Sequence, residues 1–211
     1  YAPSPNPYRF DGTPQACREH SLQAIEAMLE EHAGQVAGIV LEPLVQGAAG
    51  IIVHPPGFLK GVEELARRYG VLLIVDEVAM GFGRTGRMFA CEHEGVSPDF
   101  LCLSKALTAG YLPMAATLTT DRVYGRFLGT EDSPGVFYHG HSFTGNPVAA
   151  AAALASLDVF DKERVLEKLQ PRIARYRSLL DERIAPLEHV GDVRGRGFMT
   201  GIEIVEDGER G

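Results

Sequence analysis

Apolar segments of strand length alternate along this chain with a helical pattern. VAGIVLEPL (36–44) is followed by PPGFLKGVEELARRYG (55–70), whose apolar residues recur at helical spacing, and then by VLLIVDE (71–77). DFLCLSK (99–105) and PMAATLTT (113–120) are predicted as two further strands. Strands that are apolar on both faces and separated by a helix predict an α/β fold, with a parallel-rich sheet covered on both faces.

The two ends of the chain differ from this central part. Residues 1–20 are polar and rich in proline and predict a surface connection, and residues 21–33 predict an amphipathic helix with Ser21 as its N-cap. From residue 147 the pattern predicts one long helical region that Pro171 is expected to kink. VGDVRGRGFMTGIEIV (190–205) predicts strands with glycine-rich turns.

Composition excludes several classes of protein. The 211 residues carry a formal net charge of −8 and no basic run, which argues against a nucleic-acid-binding surface. No apolar stretch reaches the roughly 18–20 residues that a membrane helix needs. Cys17, Cys91 and Cys102 are widely spaced, so we expect neither a disulfide framework nor a zinc site, and a reducing, cytoplasmic compartment. Because the chain starts at Tyr1 and ends on polar residues, we expect a piece of a longer protein.

The segment Gly81–Gly86 matches the dinucleotide-binding pattern G-x-G-x-x-G. That motif needs its first glycine directly after a strand, a helix starting at its third glycine, and an acid about 20 residues later at a strand end. Here the predicted strand ends in Asp76 and Glu77, well before Gly81, and no acid follows at the required place. The sequence therefore predicts a tight loop whose glycines allow unusual backbone angles.

Polar residues stand at the ends of the predicted strands. Glu42 ends the first, Asp76 and Glu77 the second, and Ser104 and Lys105 the third. In an open parallel sheet, ligands bind beyond the carboxyl ends of the strands. A buried lysine or aspartate is costly unless it is paired. The pattern thus leaves two interpretations open, an Asp–Lys ion pair that is only structural and a ligand site.

A set of longer motifs identifies a family. They are LEPLVQGAAG (41–50), LLIVDEVAMGFGRTG (72–86), PDFLCLSKALTAGYLPMAATLTT (98–120), HGHSFTGNPVAAAAA (139–153) and VGDVRGRGFMTGIEI (190–204). Together they resemble the class III pyridoxal-phosphate-dependent aminotransferases over residues 36–205. The resemblance implies fold type I. It also implies that residues 1–147 are the second half of the large, cofactor-binding domain and that residues 148–211 are a long connecting helix and the start of a C-terminal small domain.

The resemblance assigns roles to the polar strand ends. Lys105 is expected to form the Schiff base with pyridoxal 5'-phosphate, to contact the substrate and to act as general base and acid. Asp76 is expected to pair with the pyridine nitrogen and keep it protonated, and Val78 to pack on the ring face. Glu42 is expected to pair with an arginine that governs substrate carboxylates. A structural strand-end acid is the alternative for Glu42, and an ordinary core valine is the alternative for Val78.

The resemblance also assigns the segment YHGHSFTGNP (138–147). The hydroxyl group of Ser142 and the backbone of His141 are expected to bind the cofactor phosphate across a dimer interface, and Gly140 to line the substrate pocket. A helix cap is the alternative for Ser142. A metal site at His139 and His141 would lack a third ligand, so we expect no metal.

Within the class, the chain most resembles the branch that acts in biotin biosynthesis. That branch matches in the residues after Lys105 and at Ala79, where ornithine and acetylornithine aminotransferases carry Gln. The expected reaction converts 8-amino-7-oxononanoate to 7,8-diaminononanoate, with S-adenosylmethionine or lysine as amino donor, in a homodimer. The alternatives are another class III enzyme, of the ornithine, acetylornithine, 4-aminobutyrate or diamine type, and a non-catalytic module. The arginines of VRGRG (193–197) are expected to shape a turn, without a catalytic role.

Overall fold

The structure, a computed structural model, describes residues 1–130 and 135–206. Its helices and strands are α1 (Pro14–Glu31), β1 (Gly38–Leu41), β2 (Val45–Gln46), β3 (Ile52–Val53), α2 (Phe58–Tyr69), β4 (Leu72–Asp76), β5 (Phe100–Leu103), β6 (Ala116–Thr119), α3 (Asp121–Tyr124), α4 (Pro147–Lys162), α5 (Val165–Arg183), β7 (Val190–Arg196) and β8 (Met199–Ile204). Short 3-10 helices cover Ala90–Glu94, Lys105–Thr108 and Gly125–Phe127.

A four-stranded sheet in the order β1-β4-β5-β6 forms the centre of the fold. β1, β4 and β5 run parallel, and β6 pairs antiparallel with β5 at the edge. Leu41 lies opposite Val75, and Asp76 lies opposite Cys102. The predicted α/β fold with a parallel-rich sheet is therefore confirmed.

Helix α2 makes the crossover from β1 to β4 and packs on the sheet. Its buried apolar residues recur at helical spacing, so they form one apolar stripe; they are Phe58, Leu59, Val62, Leu65 and Ala66. Leu59 and Val62 share one core cluster with Val75 of β4, and all three are fully buried. This packing fixes β4, whose end carries Asp76.

Helix α1 begins earlier than the sequence pattern predicts. Its N-cap is Thr13, whose Oγ1 accepts the N–H of Ala16 at 3.1 Å, and Pro14 occupies the first helical position. A threonine cap followed by proline is a strong start signal. The predicted N-cap at Ser21 was therefore wrong, and the predicted connection over residues 1–20 ends at residue 13. Ser21 lies inside the helix and is 1% exposed.

Two further elements differ from the prediction. β5 ends at Leu103, so Lys105 does not end the strand but opens a 3-10 helix. The long helical region is divided into α4 and α5, with Arg164 between them in a left-handed conformation (φ 50°). Pro171 lies within α5 without ending it.

The covering of the sheet is uneven. Val40 of β1 is 67% exposed and Leu118 of β6 is 51% exposed. The predicted cover of helices on both faces is therefore incomplete within the described residues. β7 and β8 pair in a separate two-stranded antiparallel sheet. The domain boundary after residue 147 stays a prediction.

The β7–β8 hairpin packs its turn against the glycine loop 81–86. The N–H of Phe198 donates to the carbonyl oxygen of Arg84 at 2.9 Å. Gly197 has φ 63°, and a Cβ there would lie 2.4 Å from the same carbonyl oxygen and 2.6 Å from Cα of Thr85. Only glycine allows this approach, so the contact fixes the hairpin on the loop.

Two features of the described chain bear on its chemistry and surroundings. Cys17, Cys91 and Cys102 are free thiols. Within residues 1–130 and 135–206, no helix has the length and apolar content that crossing a membrane requires.

Substituting alanine at Gly197 tests the packing of the hairpin. Gly34 is the matched control, because it also has a positive φ (76°) but a Cβ there would meet no described atom within 4 Å. Gly34→Ala should cost about 1 kcal/mol of unfolding free energy through backbone strain alone. Gly197→Ala should cost roughly 1–3 kcal/mol more, because it adds a steric clash. Equal losses in denaturant unfolding would contradict the close contact.

Candidate active site

The carboxyl ends of β1, β4 and β5 bring three of the predicted site residues to one edge of the sheet. Glu42 directly follows β1, and Asp76 is the last residue of β4. Lys105 follows the end of β5 by two residues, and Asp76 lies opposite Cys102 of that strand. Because neighbouring strands lie about 4.8 Å apart, the backbones of these residues are close together.

Lys105 is held in an unusual backbone conformation. Its φ of 45° lies in the left-handed region, which costs a residue with a side chain about 1–2 kcal/mol. Such strain persists where the surroundings fix it, and it is concentrated at functional sites. The hydroxyl group of Ser104 donates to the carbonyl oxygen of Met114 at 2.8 Å and anchors the residue before it. Lys105 is exposed and forms no ion pair with any described residue, so the structure does not contain the Asp–Lys pair considered above.

Asp76 is half-buried and its carboxylate is oriented by the backbone. Its Oδ1 accepts the N–H of Val78 at 2.9 Å. This contact ties the carboxylate to the turn that leaves β4. Val78 is itself half-buried.

Glu77 faces the opposite side of the sheet from Asp76, because successive residues of an extended chain alternate between the two faces. It is fully buried, and its Oε1 accepts the N–H of Cys91 at 2.8 Å. Its Oε2 has no hydrogen-bond partner among the described residues. Burial raises the pKa of Glu77. Burial, with the Glu77 carboxyl nearby, also raises the pKa of the Cys91 thiol to about 12.

No role was predicted for Glu77 from the sequence. The available signal was a pair of acids at the end of an apolar strand, since alternation sends one of them into the core. Its contact with Cys91 ties the end of β4 to the 3-10 helix Ala90–Glu94. Glu77 therefore helps to hold the end of β4, where Asp76 lies.

The glycine segment after β4 forms the predicted tight loop. The N–H of Phe82 donates to the carbonyl oxygen of Met88 at 2.6 Å, and Gly83 donates to Arg87 at 3.0 Å. Phe82 and Gly83 both have positive φ, of 58° and 83°. A 3-10 helix starting at Ala90, and not an α-helix at Gly86, follows the loop. This arrangement differs from a dinucleotide-binding turn.

Residues 138–146 form an exposed loop that leads into α4. The N–H of His141 donates to Oγ1 of Thr144 at 2.9 Å, and Nδ1 of His141 accepts the N–H of Phe143 at 3.1 Å. Asn146, and not Ser142, caps α4, because its Oδ1 accepts two backbone N–H groups of the first turn.

No described hydrogen bond joins this loop to Asp76 or Lys105. Gly140 and Ser142 are exposed. The structure therefore brings the strand-end residues together, and among the described residues no hydrogen bond ties the predicted phosphate-binding loop to Asp76 or Lys105.

Glu42 contacts the loop that follows it. Its Oε2 accepts the N–H of Gly47 at 3.0 Å, and the side chain is half-buried. This bond is compatible with the structural alternative, and it leaves Oε1 without a described hydrogen bond.

The hollows of the structure lie away from the strand-end residues, and no metal site accompanies them among the described residues. Two hollows, of about 380 Å³ and 480 Å³, are lined by neither Lys105 nor Asp76. Within the part of the chain that the structure describes, no group of three or more His, Cys, Asp or Glu residues is placed to hold a metal ion.

Comparison with known proteins gives a family match over the whole chain. The family model Aminotransferase class-III matches residues 1–211. The adenosylmethionine-8-amino-7-oxononanoate aminotransferase of Geobacter sulfurreducens is 54% identical, over 98% of this chain and 46% of that protein. The protein of the same name from Aquifex aeolicus is 53% identical, over 99% of this chain and 46% of its own length. The chain thus spans less than half the length of these curated relatives.

Solved structures give the same picture. The crystal structure of adenosylmethionine-8-amino-7-oxononanoate aminotransferase from Methanocaldococcus jannaschii matches with a TM-score of 0.85 and 48% identity, over 89% of this chain and 44% of that chain. A thermostable (S)-enantioselective omega-transaminase from Thermomicrobium roseum matches with a TM-score of 0.88 and 37% identity, over 97% of this chain and 45% of that chain.

The buried acid Glu77 should make stability depend on pH. Because its folded-state pKa lies above the ordinary value of 4.5, the folded state keeps a proton that the unfolded chain releases. The contribution of this proton to the unfolding free energy is full below pH 4.5 and is lost as the pH rises through the folded-state pKa. Glu77→Gln stays neutral and keeps an acceptor for the N–H of Cys91. The unfolding free energy of wild type minus that of Glu77→Gln should therefore fall as pH rises, by about 1.4 kcal/mol per unit of pKa shift.

Urea unfolding at several pH values between about 4 and 8 measures this difference. Glu64→Gln, an exposed change on α2, is the control and should follow wild type. A difference for Glu77→Gln that stays constant or grows with pH would show that Glu77 is not held as a neutral acid.

Proposed function

This chain belongs to the class-III aminotransferases, and on that basis we propose that its protein transfers an amino group to the ketone of 8-amino-7-oxononanoate and forms 7,8-diaminononanoate. Several relatives that carry the corresponding name are 48–54% identical over nearly the whole chain. S-adenosylmethionine, which that name includes, is the first amino donor to test, and lysine is the second.

Class-III aminotransferases depend on pyridoxal phosphate, and the residues at the strand ends fit that cofactor. Its aldehyde needs an amine, and Lys105 offers one that no described carboxylate holds. Its pyridine nitrogen needs an anionic acceptor, and Asp76 offers a carboxylate whose Oδ1 alone is engaged in a described hydrogen bond. Its ring needs an apolar neighbour, and Val78 lies two residues from Asp76. When bound, the cofactor supplies an electron sink for the pair left behind when a proton leaves the substrate carbon.

Each residue then has one task. Nζ of Lys105 takes up the proton from the substrate carbon and returns it in the second half of the reaction, as general base and then acid. The carboxylate of Asp76 holds a proton on the nitrogen that faces it, because an opposite charge nearby favours the charged form. Glu42 orients an arginine of the full-length protein, and that arginine binds the substrate carboxylate.

The single observation that carries this proposal is the state of Lys105. It is an exposed lysine without a described ion pair, it has φ 45°, and it lies one strand away from a backbone-oriented aspartate. A lysine with only a structural role has no need of the left-handed conformation, which costs stability. The left-handed conformation of Lys105 is explained if its amine must reach a bound cofactor from a fixed backbone position.

The loop 138–146 is proposed to serve the active site of a second copy in a homodimer. The exposure of the loop supports this, as does its lack of hydrogen bonds to Asp76 and Lys105. Ser142 offers a hydroxyl group to a phosphate, and Gly140 leaves room for substrate. The N–H of His141 is engaged by Thr144, so a phosphate at His141 would have to replace that bond. We place the protein in the cytoplasm, as its free cysteines favour a reducing compartment.

Assays with 8-amino-7-oxononanoate and either donor test the activity of the natural protein at its full length. Wild type should form 7,8-diaminononanoate. Lys105→Ala should lower kcat at least about 100-fold through loss of the general base, and Asp76→Asn about 100- to 1000-fold through loss of the stabilising charge. Lys162→Ala removes an exposed lysine that pairs with Asp158 and should leave kcat unchanged.

The substrate profile separates this proposal from its main competitor, an omega-transaminase. Turnover of ornithine, acetylornithine or 4-aminobutyrate in preference to 8-amino-7-oxononanoate would reject the biotin-pathway reaction. Full activity of Lys105→Ala would reject the assignment of the catalytic lysine.

A further inference from the structure

Arg194 joins the β7–β8 hairpin to the loop that follows β1. Its Nη2 donates to the carbonyl oxygen of Gly50 at 2.6 Å, and its Nε donates to that of Ile51 at 2.9 Å. The side chain is 16% exposed, so the guanidinium is largely withdrawn from water. Arginine suits this contact because its planar fork presents several N–H donors in a fixed geometry.

Two carboxylates of the hairpin hold the guanidinium in place. Nη1 of Arg194 lies 2.8 Å from Oε2 of Glu203 and 3.2 Å from Oδ2 of Asp192. Arg9 also binds Glu203, at 2.7 Å, but has no described contact with the loop after β1. The hydrogen bond from Arg194 is the main cause that lowers the pKa of Glu203. Glu203 is therefore charged at neutral pH, and the hairpin presents a fixed guanidinium.

The loop after β1 continues this contact to Glu42. The N–H groups of Gly50 and Ile51 both donate to the carbonyl oxygen of Gly47, at 3.2 Å and 3.1 Å. The N–H of Gly47 donates to Oε2 of Glu42 at 3.0 Å. Described contacts thus run without a break from the guanidinium of Arg194 to the carboxylate at the end of β1.

Backbone strain shows that this loop needs support from outside. Ile51 has φ 54°, a left-handed conformation that is especially unfavourable for a β-branched residue. Such a conformation persists when neighbouring groups fix it. Arg194 binds the carbonyl oxygen of Ile51, and a Cβ at Gly201 of β8 would lie 3.0 Å from Cβ of Ile51. The hairpin therefore supplies the support.

We propose that Arg194 is a positioning residue, which fixes the carboxylate of Glu42 at the strand-end site by holding the carbonyl groups of Gly50 and Ile51. The inference rests on the proposed function, in which Glu42 orients the arginine that binds the substrate carboxylate. Replacing the guanidinium leaves Glu42 in the chain but frees its loop. Replacing Arg194 should therefore weaken binding of the amino acceptor more than it slows proton transfer by Lys105.

The test uses the natural protein at its full length, loaded with pyridoxal phosphate. Arg194→Lys keeps the charge and removes the fork of donors. Arg9→Met is the control, because Arg9 shares Glu203 with Arg194. KM and kcat for 8-amino-7-oxononanoate are measured for each variant, alone and combined with Glu42→Gln, and thermal melts check that each is folded. Hydrogen exchange of the peptide that covers residues 47–53 reports on the loop itself.

Arg194→Lys should raise KM roughly 3- to 30-fold, the range that 0.5–2 kcal/mol of coupling gives, and change kcat less than about threefold. In the Glu42→Gln background it should change KM less than about twofold, because residues that act through one another are not additive. The loop peptide should exchange faster in Arg194→Lys and at the wild-type rate in Arg9→Met. Independent, multiplying effects of Arg194→Lys and Glu42→Gln, or equal effects of Arg9→Met, would overturn the proposal.

Other outcomes are also decisive. If wild type does not aminate 8-amino-7-oxononanoate, the proposed function fails, and unchanged exchange of the loop in Arg194→Lys would separately reject the role of Arg194. If Arg194→Lys does not fold, Glu203→Gln takes its place, because it removes the anion at 2.8 Å and leaves the guanidinium. It should raise KM in the same direction by a smaller factor, and an unchanged KM would overturn the proposal.

Discussion

Parallel pairing of β4 with both β1 and β5 is the constraint on which the rest of the molecule depends. It places the carboxyl ends of the three strands at one edge, with Asp76 opposite Cys102. The helix α2 buries its apolar stripe on these strands, so their register is fixed by the core. A shift of one residue would turn Asp76 into the core and Glu77 outward, and the site would be lost.

Strained conformations stand where the chain leaves this core. Lys105 and Ile51 both have positive φ, and each is held by contacts from another part of the fold. The 3-10 helix Lys105–Thr108 packs on α4, and the hydroxyl group of Ser156 in α4 donates to the carbonyl oxygen of Ala106 at 3.4 Å. Around Ile51, the support comes from Arg194 of the hairpin. The core therefore provides the stability that lets the edge of the sheet hold unfavourable but useful geometries.

The four strands of the central sheet and the acids at the ends of β1 and β4 could be predicted from the sequence, because apolar runs and the residues that end them are local signals. Helix α1 was placed too late, since its apolar spacing is clear only after Ser21, while its start depends on Thr13 and Pro14. The structural role of Glu77 was missed although a local signal for it existed, namely two adjacent acids at the end of an apolar strand. The contacts of Arg194 were missed for another reason. Arg194 binds carbonyl groups more than 140 residues away in the chain, and no pattern of neighbouring residues reports such a contact.

The central claim is that the lysine after β5 is the amine that carries the cofactor. Borohydride reduction of the natural protein in the presence of pyridoxal phosphate, followed by peptide mapping, tests it most directly. A phosphopyridoxyl group is expected on Lys105 alone, with Lys60, Lys162 and Lys168 unlabelled. Labelling spread over surface lysines, or a folded protein with no label at Lys105, would contradict the account.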